Sequence, residues 1–168
     1  MKEQDIIFQA RSEIEAALPS KFSVRTSGDD KSAHPPLCIL NWDSSRRSIN
    51  GHNSFGKVIR DENGNATGRE LHRYHLMELD IRIRTNDESE RDTLLSDIVD
   101  AFLPYEYDPS DFHEDTTEWE IGNPTPRSNP VVEPDWYEGG VTARFLYVSR
   151  VEQSADTLTS TQESVDAS

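Results

Sequence analysis

Between residues 74 and 84 apolar and charged side chains alternate with a period of two. Met77, Leu79, Ile81 and Ile83 lie on one side, and Glu78, Asp80, Arg82 and Arg84 on the other. That period fits a β-strand with one dry face and one wet face, and it does not fit a helix. The pattern then changes. Asp87 with Glu90 makes a capping box in its Asp form. Leu94, Leu95, Ile98, Val99, Phe102 and Leu103 follow at helical spacing until Pro104. A strand and a helix that each carry one apolar face must bury those faces against other elements. The chain is thereby committed to a layered α+β architecture.

The flanking segments supply the other elements. Ile6, Ile7, Ala10, Ile14, Ala17 and Leu18 predict an amphipathic helix over 5–18, capped by Asp5 and stopped by Pro19. Short strands are expected at 22–25 and 37–42, and a long one at 139–151, where Val141, Ala143, Phe145, Tyr147 and Val151 face one way. The expected fold is a mainly antiparallel β-sheet packed by two helices, a single α+β domain over 1–151. Residues 43–73 are polar and glycine-containing. Their Asn63-Gly64 step lies between Phe55–Arg60 and Arg69–Tyr74, which predicts a projecting β-hairpin arm. Residues 105–135 read as an acidic, proline-rich loop carrying Tyr105, Tyr107, Phe112 and Trp119. Residues 152–168 are Ser, Thr, Gln, Asp and Glu with too little apolar content to offset ordering entropy, so a disordered tail is expected.

Charge narrows the function. The chain has 17 basic and 32 acidic residues, a net −15. Such a surface repels nucleic acid and anionic membranes at long range. Thirteen of the basic residues are Arg and four are Lys. An acid-rich, Lys-poor surface suits molar salt, where a Debye length of about 3 Å silences repulsion between carboxylates; an ordinary acidic protein is the alternative. The charge is also unevenly spread. Residues 41–75 hold six basic against four acidic residues, while the remainder holds 11 against 28. The arm is thus the one region that is not acidic, suited to contact with an acidic neighbour or DNA, or simply solvated. Arg46, Arg47, Lys57, Arg60 and Arg69 are its candidate contact residues. Arg82 and Arg84 join them as part of an expected ion-pair ladder from the 74–84 strand to a neighbour.

No motif for chemistry stands out. There is no glycine-rich phosphate loop and no Gly-x-Ser-x-Gly elbow. His72 and His75 sit at an odd spacing, which on a strand sends them to opposite faces. His113, Glu114 and Asp115, with Asp108 and Asp111, read as a solvated acidic face in preference to a cation site. Cys38 lies in an apolar run where a thiolate does not form readily, and as the single cysteine it offers no internal disulfide. No catalytic, cofactor-binding or metal-binding residue is assigned. The N-terminus has no apolar core of a signal peptide, and no run is long enough to span a membrane.

The segment Glu78-Leu79-Asp80-Ile81-Arg82-Ile83-Arg84-Thr85-Asn86-Asp87, running into the helix 88–103, resembles the central strand–helix unit of tail terminator and tail-completion proteins of tailed phages. The order of elements over 1–151 is similar too. The resemblance implies a structural virion protein of the tail or neck, assembled in the host cytoplasm as a ring, usually a hexamer, on the tail tube. Its implied partners are further copies of itself, the tail tube protein and the head–neck connector proteins, with a weak DNA contact in the lumen. The composition would place such a virus in a haloarchaeal host. The long segments at 43–73 and 105–135 leave room for another neck or baseplate component. A free acidic binding module of a halophilic host, and an enzyme using carboxylates of 105–120, are the readings from other classes.

Overall fold

A computed structural model describes residues 2–26, 34–47, 54–127 and 136–154. The order of elements is α1 (Lys2–Ala17), β1 (Ser23–Thr26), β2 (Leu37–Arg47), β3 (Ser54–Arg60), β4 (Ala66–Thr85), α2 (Glu88–Phe102), α3 (Pro104–Tyr107), α4 (Pro109–Phe112), β5 (Thr116–Ile121), β6 (Thr125–Arg127) and β7 (Tyr137–Ser154). The strands run β1-β2-β4-β7-β5 across a seven-stranded sheet, with β3 paired to β4 and β6 to β7. β1 pairs parallel with β2, whereas β3–β4, β5–β7 and β6–β7 are antiparallel. The expected α+β class with a mainly antiparallel sheet is the one observed. The chain falls into two compact units: residues 1–45 with 76–147, and residues 46–75 with 148–168.

The first unit holds the core. Met77, Leu79, Ile81 and Ile83 of β4 are fully buried, as the alternation predicts. Cys38 and Leu40 of β2 and Val141, Ala143, Phe145 and Tyr147 of β7 join them in one cluster with Ile6, Ala10 and Ile14 of α1 and Leu94, Leu95, Ile98 and Phe102 of α2. Each such side chain contributes roughly 1.5–3 kcal/mol by leaving water, so this cluster is where the fold gets its stability. α1 begins three residues before the expected cap. Asp5 therefore lies inside the first turn, where its charge complements the helix dipole. At α2 the Asp87 carboxylate accepts the Glu90 backbone N–H at 2.9 Å. The reciprocal half of the box is replaced: Thr85 Oγ1 accepts the Asp87 N–H at 3.3 Å, and the Glu90 carboxylate pairs with Lys21.

The segment read as an acidic loop is the main correction. α2 ends before Pro104 as expected, but Pro104 then opens α3, and Pro109 opens α4 after Asp108, whose carboxylate caps it. Proline at the first helical position loses no hydrogen bond that the helix needs. β5 then pairs with β7, and its Trp119 stacks on Phe145 at 4.9 Å and meets Phe112 at 4.5 Å and Phe102 at 5.1 Å. Tyr105, Phe112 and Trp119 thus extend the core instead of decorating a loop, while Tyr107 stays exposed. β6 pairs Thr125, Pro126 and Arg127 with Gly140, Gly139 and Glu138, so part of the proline-rich stretch is strand as well. The remainder of that stretch, 128–135, lies outside the described residues. β7 runs three residues past its expected end, and the expected tail beyond Ser154 lies outside the described residues.

Candidate interaction surface

The ion-pair ladder expected on the polar face of β4 exists, but its partners belong to the same chain. Arg82 Nε donates to Asp80 Oδ2 at 2.8 Å. Arg144 of β7 donates to Glu78 Oε1 at 2.6 Å. Arg84 is 6% exposed, donates to Glu138 Oε2 at 2.5 Å and lies 5.6 Å from the Trp136 ring centroid. A buried, bidentate-capable guanidinium held this way fixes β4 against β7. Arg84 therefore serves the fold through a partner in its own chain.

One backbone group on each of the edge strands β1 and β5 is taken by a side chain. Arg11 of α1 donates to the Val24 carbonyl on β1 at 3.4 Å, and Glu106 of α3 accepts the Ile121 N–H on β5 at 2.7 Å. Occupied edge groups blunt the pairing with another chain that exposed edges invite.

Two carboxylates of 105–120 hold local structure and a third is buried. Asp108 accepts from both the backbone N–H and the hydroxyl of Ser110, Glu106 holds β5, and Asp115 is buried. Among the described residues no group of three or more His, Cys, Asp or Glu is placed to hold a metal ion. Burial raises the Cys38 thiol to about 12, which keeps it protonated and unreactive at neutral pH. Among the described residues the surface carries shallow clefts. One of about 260 Å³ is lined by Glu120, Asn123, Thr125, Thr142 and Arg144, without the apolar walls of a small-molecule pocket.

The second unit is built differently. β3 and β4 form the expected hairpin, pairing Ser54 with His72, Phe55 with Leu71 and Val58 with Arg69. Its turn is fixed by Asp61, whose Oδ1 accepts the N–H groups of Asn63 and Asn65 at 2.9 and 2.8 Å. These bonds, led by that from Asn65, hold the Asp61 carboxyl below its ordinary range. Gly64 supplies the left-handed residue, at φ +84°, and Arg60 donates to its carbonyl at 2.7 Å. On its other side β4 meets the end of β7. Arg69 donates to Gln153 at 2.9 Å, and His75 shares a 2.9 Å hydrogen bond with Ser149. At Gly68 the approach is so close that a Cβ would stand 2.6 Å from the Gln153 carbonyl oxygen. His72 contacts Glu70 at 2.5 Å, with Arg150 3.9 Å from the same carboxylate.

Among its described residues this unit has no helix and almost no interior. Among the residues of 57–75 and 148–154, only Gly68 and Val148 are buried. Its charge differs from that of the first unit: over 46–75 and 148–168 seven basic residues balance seven acidic ones, and the three acids beyond Ser154 are what offset its strands. Residues 1–45 and 76–147 hold ten basic against 25 acidic residues, whereas 46–75 and 148–154 hold seven against four. Lys57 and Arg60 are exposed and Arg69 is half-buried. Arg46 and Arg47 close β2, and their side chains lie outside the described part of the structure. Sequence reasoning missed Arg150, which belongs with this group. The pairing of β7 with β4 brings it there, and nothing near residue 150 in the chain announces that.

No family model matches the chain, and no curated protein is significantly similar to it.

Proposed function

We propose that this chain is a structural protein that assembles with copies of itself, as a ring closing the tail tube of a tailed virus and joining it to the head connector. Two lines support the reading. The strand–helix unit over 78–103 resembles that of tail terminators. The observation that carries self-assembly is the second unit: it is not acidic, and among its described side chains, 57–75 and 148–154, almost nothing is buried, on a chain whose other unit has a packed core and is strongly acidic. A two- or three-stranded sheet with no covered face is marginal in water and calls for a partner. The acid-rich, arginine-weighted composition fits assembly in molar salt, where exposed charges repel weakly.

Native mass spectrometry or mass photometry of the protein in molar salt tests this. The expected result is one closed species at a fixed multiple of 19.1 kDa. A monomer at every concentration would remove the ring and leave a free acidic binding module as the better reading.

A further inference from the structure

The second unit has one face whose chemistry names its partner. Register places Val58 opposite Arg69, and Arg69 reaches Gln153, so these three side chains share a face of the sheet. At even spacing along β4 and β7, Leu71 and Arg73 share the face of Arg69, and Val151 that of Gln153. The face is thus an aliphatic stripe of Val58, Leu71 and Val151 bordered by Arg69 and Arg73. Val58 is 47% and Val151 42% exposed. Arg73 is exposed too.

The complementary chemistry exists on the same chain's first unit. Leu103, in a helical conformation, joins α2 to α3, so Leu103 and Tyr107 stand four residues apart on one side of a helical turn. They are 39% and 86% exposed, among the large hydrophobics most open to solvent. Exposed carboxylates flank them at Asp100, Asp108 and Asp111. An exposed tyrosine beside an aliphatic residue, ringed by acids, is the kind of anchor that buries well against an aliphatic stripe ringed by arginines.

We infer that the Val58–Leu71–Val151 face of one copy docks on the Leu103–Tyr107 surface of the next. This deepens the ring reading and rests on it. The two surfaces differ, so the contact is heterologous, the type of interface that generates rings. At molar salt exposed ion pairs contribute little, so the apolar contact carries the affinity while Arg69 and Arg73 against the acids select the partner and its orientation.

The test uses three variants of the full chain in molar KCl: Val58→Asp, Arg73→Glu and Tyr107→Lys. Each changes an exposed side chain, and circular dichroism should show each folded. Each alone should weaken assembly by about tenfold or more, as loss of an interface anchor does. Mixing Val58→Asp with Tyr107→Lys should restore a dimer and nothing larger, because one intact half survives on each copy. A mixture that stays monomeric overturns the pairing. If wild type forms rings and all three variants do so at unchanged concentration, the docking surface is wrong while the ring reading stands. A monomeric wild type removes both. Should Val58→Asp unfold, Arg73→Glu mixed with Tyr107→Lys separates the same outcomes.

Discussion

The two units of this chain solve the same problem, burying the faces of a sheet, with unequal means. In the first, β4, β2 and β7 lay their apolar sides under α1 and α2, and Phe102, Phe112, Trp119 and Phe145 fill the space beyond. In the second, β3 and the remaining parts of β4 and β7 form the strands, and among the described residues there is no helix and almost every residue is exposed or half-buried. Order there comes from local devices: the Asp61 turn, the tight fit at Gly68, the Arg69–Gln153 and His75–Ser149 bonds. A hydrogen bond nets about 1 kcal/mol and a buried aliphatic side chain two or three times that. The first unit is therefore held by its packing, and the described part of the second chiefly by local hydrogen bonds.

The same chemical change placed in each region should expose the difference. Ile81→Asp puts a carboxylate among fully buried neighbours and should cost on the order of 5 kcal/mol or more, enough to abolish folding. Val58→Asp, on an exposed position, should cost about 0.5 kcal/mol or less in the isolated chain. Chemical denaturation of both variants in molar salt checks this. Similar losses at the two sites would dissolve the distinction.

Salt should act mainly through the first unit, where the −15 resides. Lowering KCl from molar to about 50 mM should drop the melting temperature by about 10 °C, roughly 3 kcal/mol for a domain of this size. A melting temperature indifferent to salt would remove the case for salt adaptation and leave the fold as described.

Smaller effects sharpen the comparison. Gly68→Val would force β4 away from the Gln153 carbonyl and should cost about 1–3 kcal/mol, felt as local opening of the second unit without loss of the core. Asp87→Ala removes the cap of α2 and should cost about 1 kcal/mol, felt by the global transition, because α2 is part of the core. Urea titration followed by tryptophan fluorescence and by amide exchange separates global from local loss.

What could be read from residues alone follows from the same physics. The β4–α2 unit was legible because its periods are long and uninterrupted. The hairpin was legible because Asn63-Gly64 demands a turn. Residues 104–121 were not, since α3 and α4 are four residues each and too short to display a period; the clues were Asp108 before Pro109 and the prolines at first-turn positions. β2 runs on to Arg47 and β6 forms around Pro126 because neighbouring strands accept them, a tertiary choice without a local signal. The partner of Arg84 was illegible for the same reason: Glu138 is 54 residues away in sequence. The contact surface was legible as a patch of charge over 41–75. Its apolar stripe was not, because Val58, Leu71 and Val151 come from three strands and meet only through register.

Hydrogen–deuterium exchange as a function of protein concentration, in molar KCl, tests the division of labour most directly. The core segments 76–85, 94–102 and 141–147 should exchange slowly and at rates independent of concentration. Residues 54–75 and 148–154 should exchange faster in dilute solution and become protected as concentration rises and copies meet. Protection of 54–75 and 148–154 that equals the core's at every concentration would contradict the account, because that unit would then need no partner to hold it.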